Sequence, residues 1–246
     1  MPSWEKLRFK DSPLSIAQGE VNGHSGVHKF GAVPAMSQNT TGTVWDVNDT
    51  TYPWSSWDTA GTVSISTVNA SDNGKTVTLV GLDANYEDQT EEVVVSSSGA
   101  VTTTKTWKRL YRAYISTGED NVGNITVQKG GTTVLQITAG KGQTLMAIYT
   151  VPANHTAYLI CGVCSVQDGA DATGNMFVRY DGQSSFRIGH SFEVAGKGGP
   201  YYHKFAIPIR LPAKTDIDVR ATVRSNNARV TAAFDMILVQ DGYEHG

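Results

Sequence analysis

Thr62-Val63-Ser64-Ile65-Ser66-Thr67-Val68, then Ser71-Asp72-Asn73-Gly74, then Thr76-Val77-Thr78-Leu79-Val80 is the stretch that decides the fold class. Val63, Ile65 and Thr67 recur at every second position, the period at which strand side chains share a face. Asn-Gly tolerates the positive φ of a tight turn, and the alternation restarts at Thr76. Read together, the three pieces predict a β-hairpin.

The same signal extends along the chain. Strands are expected over 91–95, closed by Ser96-Ser97-Ser98-Gly99, and over 107–115. Residues 123–127 are expected to pair with 133–137 across Lys129-Gly130-Gly131. Further strands are expected over 145–151, 156–166, 176–180, 185–188, 202–211, 216–223 and 229–239. The last of these is the most apolar and is expected to be central. Short strands without intervening helices point to an antiparallel β-sandwich, jelly-roll-like, rather than a parallel sheet. Residues 41–118 and 119–246 read as two β-rich regions, and the polar break at 118–123 between them reads either as a domain boundary or only as a loop. Residues 1–40 show neither period and are punctuated by glycine, so an extended N-terminal arm is expected there, anchored by Trp4, Leu7, Phe9, Phe30 and Met36 on a neighbouring subunit, with a loose terminus as the competing expectation.

Composition agrees. The 246 residues hold 27 Thr and 25 Val against only 10 Leu, so residues branched at Cβ outweigh the usual staple of amphipathic helices. Charged residues make up 17% and the net charge is −3, which argues against a broadly basic nucleic-acid binder. No apolar run approaches the roughly 18 residues of a membrane helix, and the first residues lack the apolar region of a signal peptide. A soluble chain with neither nucleic acid nor membrane as partner is expected.

Site motifs are sparse. There is no G-x-S-x-G, P-loop or H-E-x-x-H, and an enzyme is not expected. Cys161-Gly162-Val163-Cys164 lies in a strand pattern, where positions i and i+3 face opposite ways, so two packed thiols are expected rather than a redox or metal pair. His24 and His28 are spaced like a helical metal pair, but their glycine-rich surroundings disfavour a helix. No catalytic residue, cofactor or metal is therefore assigned. Asp83, Glu87, Asp88, Glu91 and Glu92 are an acidic cluster that suits a solvated turn better than a glycosidase pair or a cation site. Lys105, Lys108, Arg109 and Arg112 interleave with Trp107 and Tyr111, expected as a strand with solvated charges or a contact to an acidic partner. Trp45, Tyr52, Trp54 and Trp57, close to Asp46, Asp49 and Asp58, form the candidate glycan or partner loop; the competing expectation is a loop that packs its own aromatics.

Trp54-Ser55-Ser56-Trp57-Asp58, Gly81-Leu82-Asp83-Ala84-Asn85-Tyr86, Arg112-Ala113-Tyr114-Ile115-Ser116, Asn121-Val122-Gly123-Asn124-Ile125, 151–159 and 214–220 carry a resemblance. Over about residues 40–240 the chain resembles virion structural proteins of tailed bacteriophages, of the type that infects marine bacteria. The resemblance implies a non-enzymatic particle component, most like a head decoration (cement) protein. Such a protein would be located in the virion after assembly in the host cytoplasm. Its implied partners are itself, as a homotrimer, and the major capsid protein or another virion protein. A tail or fibre component touching host surface glycans is the alternative, and a carbohydrate-active enzyme using the acids at 83–92 is the second.

Overall fold

The β-branched alternation is realised as strand almost throughout. The computed structural model describes residues 13–167, 169–197 and 199–243. These residues contain sixteen strands, a single-turn helix α1 (Pro13–Ala17) and two 3-10 turns, Trp54–Trp57 and Ala70–Asp72. All pairing between the named strands is antiparallel.

Four sheets result. The first has the order β1 (His24–Met36), β16 (Ala228–Gln240), β11 (His155–Val166), β14 (Tyr201–Leu211). The second runs β10 (Ile148–Thr150), β15 (Asp216–Val223), β12 (Asp171–Arg179), β13 (Arg187–Ala195), and β2 (Thr41–Thr43) shares the outer side of β15 with β10. Inward side chains of these two sheets meet: Leu159, Phe234 and Phe205 from the first and Met176, Val219 and Phe192 from the second line one apolar space. As expected from its composition, β16 is central, between β1 and β11. Its inward residues from Val230 to Leu238 are buried, and those between them are half-buried.

Residues 44–147 leave the large sheets and return. They build a third sheet, β6 (Val101–Thr102), β3 (Ser64–Thr67), β8 (Ile125–Lys129), β9 (Thr132–Ile137), and a fourth, β5 (Asp88–Val94), β4 (Thr76–Leu82), β7 (Arg109–Ile115). One cluster of buried side chains runs through this insertion and the large sheets, with Trp45, Trp57 and Trp107 among its largest members.

Two expectations are corrected, and the loop alternative at 118–123 is the one that fits the strand pairing. The segments on either side of Asn73-Gly74 do not form a hairpin: β3 pairs with β6 and β8, while β4 pairs with β5 and β7. The turn between them changes sheets because Asp72 is buried and accepts from the amides of Val122 and Gly123, both at 2.7 Å. The expected arm is also replaced over its described part, while residues 1–12 lie outside the described residues. Residues 24–36 are β1, paired with β16 from His24↔Val239 to Met36↔Ala228. Period-two alternation is weak there because Val33 packs with no exposure and Ala32 and Met36 are also buried, so both faces are partly covered. Finally, the break at 118–123 is a loop crossed by a sheet, since β3 before it pairs with β8 after it. The expected hairpin across Gly130-Gly131 is present as β8–β9, with both glycines at positive φ.

Candidate functional site

The four aromatic residues of the candidate glycan loop point inward. Trp45, Tyr52, Trp54 and Trp57 are all buried, so none offers a ring face to a sugar. Trp57 donates from Nε1 to the Tyr52 hydroxyl at 2.7 Å, and Tyr52 stacks edge-on with Trp45 and Trp54. A hydrophobic loop next to a sheet gains more by closing over its own rings than by exposing them. Of the arm anchors, Met36 is fully buried within its own chain, so it does not project to a neighbour, and Phe30 is half-buried. Trp4, Leu7 and Phe9 lie outside the described residues.

The loop is fixed by a buried ion network on β15. Asp218 accepts from Trp54 Nε1 at 2.9 Å, Thr43 Oγ1 at 2.8 Å and Arg220 Nε at 2.8 Å. Burial pushes its carboxyl above the usual carboxylate range, opposed by Arg220 and these hydrogen bonds. Two residues earlier, Asp216 is held by two guanidiniums. Arg109 donates through Nε and Nη2 at 2.8 and 3.0 Å, and Arg179 through Nε and Nη2 at 3.0 and 2.7 Å. Thr150 Oγ1 adds a third partner at 2.7 Å. Arg109 is thus buried in an ion pair, not a solvated strand charge. Arg112 is exposed and stacks over Tyr114, and Lys105 donates to the Thr90 carbonyl.

This network floors a cleft of about 420 Å3 where the insertion meets the loops of the second sheet. Lys108 and Lys214 stand at its sides, and the tip of the β4–β5 hairpin contributes Tyr86. Tyr86 has φ 65°, a left-handed conformation rare for a bulky side chain. Its neighbours hold it there: Asp83 Oδ1 accepts from the amides of Asn85 and Glu87, and the Ala153 amide donates to the Tyr86 carbonyl at 2.7 Å. Two other acids of the expected cluster are also engaged. Asp88 accepts from the Tyr111 hydroxyl, and Glu91 from the amides of Thr104 and Lys105. Among the described residues no three His, Cys, Asp or Glu side chains stand close enough to hold a metal.

Cys161 and Cys164 are free and buried on opposite faces of β11. Cys161 donates to Asp235 Oδ2, which also pairs with His28 through its other oxygen. Burial, with Asp235 beside it, pushes the Cys161 thiol up to about 11, and burial alone pushes Cys164 to about 12. Both stay protonated and unreactive near neutrality.

The far flank is different in kind. β13 and β14 each have one strand partner among the described residues, so each is an outer edge. Between Leu159 and Cys161 of β11 the partner register jumps from Ile209 to Lys204, so residues 205–208 form a bulge in β14. Ile207 at this bulge is 84% exposed, Tyr202 61% and Ile188 58%. Behind them His190 and Phe192 of β13 stack with Tyr201, His203 and Phe205 of β14 and bridge the two edges. Nothing in the local sequence marked these strands as edges except Pro208, which cannot donate to a ladder. No protein-family model and no curated protein matches the chain.

Proposed function

We propose that the protein is a non-enzymatic structural component of a tailed-bacteriophage virion, a head decoration protein that assembles as a homotrimer and binds the completed shell. The chain resemblance brings this class forward, and one structural observation carries the contact role. The edges of β13 and β14 lie together and display Ile188, Tyr202 and Ile207. Unpaired edges with exposed apolar side chains are a liability unless another chain covers them. A protein that binds the assembled shell but not its free subunits adds its binding free energy to the shell.

We further read the two large sheets as a jelly roll with a long insertion. Support comes from the orders β1-β16-β11-β14 and β10-β15-β12-β13. After β1 and the insertion, the chain passes from β10 through β16 by crossing between the sheets at every step but one, the β12–β13 hairpin, as two interleaved Greek keys require.

The test is co-sedimentation of the purified full chain with undecorated phage heads, with sedimentation velocity on the protein alone. Binding to heads but not to free capsid subunits, by a trimeric species, is expected. A monomer that ignores heads would remove the reading.

A further inference from the structure

The cleft between the insertion and the second sheet has a composition that the shell-binding role does not use. Its walls carry four cationic side chains, Lys108, Arg109, Arg179 and Lys214, against three carboxylates, Asp58, Asp181 and Asp216. Asp216 is consumed inside by both guanidiniums. One positive charge is left in excess.

That charge is concentrated on one point. Lys108, Arg109 and Lys214 all approach the Tyr86 ring, at 5.8, 5.5 and 5.5 Å from its centroid. Arg109 is paired with Asp216, and Lys214 lies 3.8 Å from Asp181, so Lys108, which donates to the Asp58 carbonyl, is the cation of the three that an added anion would serve most. Tyr86 is held at left-handed φ by hydrogen bonds from a neighbouring loop, and such outliers gather where a side chain must be positioned.

The remaining walls select among anions. Ser55, Gln183 and Ser184 are uncharged hydrogen-bonding groups at the surface. Asp58 and Asp181 are exposed acceptors that suit hydroxyl donors and repel a doubly charged phosphate. The cleft volume, about 420 Å3, falls in the range of small-ligand sites, about 300–1,000 Å3.

We propose that this cleft binds a singly charged acidic sugar, its carboxylate between Lys108 and Lys214 and its hydroxyls on Asp58, Asp181 and the Ser and Gln side chains. The inference stands apart from shell binding, because the cleft and the β13–β14 edge share no residue named for either role.

The experiment is a calorimetric and NMR titration of the full chain with galacturonate, galactose and inorganic phosphate at low ionic strength. Galacturonate is expected to bind with Kd on the order of 1 mM, with galactose and phosphate at least ~10-fold weaker. Lys214→Gln and Lys108→Gln, each checked for an unchanged circular dichroism spectrum, are expected to weaken galacturonate at least ~5-fold, and Lys214→Arg to retain it. Phosphate binding as tightly as galacturonate would show a bare anion site and overturn the proposal. So would equal binding of galactose, binding undiminished in both Gln variants, or no binding of galacturonate at all.

Discussion

The two flanks of the large sheets solve the same problem in opposite ways. On one flank β1 and β10 are outer strands covered by the insertion. A Cβ added at Gly31 of β1 would lie 2.1 Å from the Val44 carbonyl oxygen and 2.4 Å from the Ala147 amide, so backbone meets backbone there. Lys29 crosses the same seam to donate to the Tyr111 carbonyl of β7. On the other flank β13 and β14 have only a screen of aromatic rings and a bulge. The covered flank spends polar groups inside to lock an added layer in register. The open flank keeps apolar groups outside. On the function proposed above, stability and contact fall to different ends of one pair of sheets.

Breaking the covered flank should have the largest effect. Asp216→Ala leaves two guanidiniums without their carboxylate, and removing one partner of a buried ion pair costs about 3–5 kcal/mol. Urea unfolding should show this loss as a lower midpoint. If the midpoint is unchanged, the insertion is not held by this network.

Lys29 sharpens the same comparison with the opposite sign. It is buried among apolar groups, and that burial, with Arg112 as a smaller contribution, lowers its pKa from 10.5 to about 7. In the unfolded chain the amine keeps its ordinary value, so between pH 7 and 10.5 the unfolded state binds more protons. The contribution of Lys29 to stability therefore rises with pH across that window, and below it the full cost of burying the charge remains. Lys29→Met should raise stability by about 1–3 kcal/mol at neutral pH and flatten the rise between pH 7 and 9. A variant less stable than the parent at pH 7 would mean that the bond to Tyr111 outweighs the burial.

On the open flank the smallest change in stability is expected. Ile207→Lys alters an exposed side chain at a bulge and should shift the unfolding free energy by less than about 0.5 kcal/mol. Its effect should appear instead as loss of self-association in sedimentation velocity. Wild-type association in this variant would move the contact surface elsewhere.

Much of the strand content was legible because alternation of Val, Ile and Thr reports burial on one face. The β8–β9 hairpin was legible because its turn is local. Pairing partners were less so: β3 and β4 adjoin in sequence, yet their partners are fixed by Asp72 and by residues some fifty positions away. The floor of the cleft was hidden for the same reason, since Arg109 and Asp216 are 107 residues apart. The aromatic loop showed its composition but not its direction. Four rings near three acids suit a sugar platform and a closed lid equally, and only the acceptor Asp218, far along the chain, turns Trp54 inward.

The pairing of β1 with β16 also has a consequence in time. His24 meets Val239, so the first strand has no partner until the last has been made. At about 5–20 residues per second, synthesis of the intervening chain lasts on the order of ten to forty seconds. The third and fourth sheets draw their strands from within the insertion and can pair during that interval. The first sheet can close only once β16 has been made, with β1 left waiting until then.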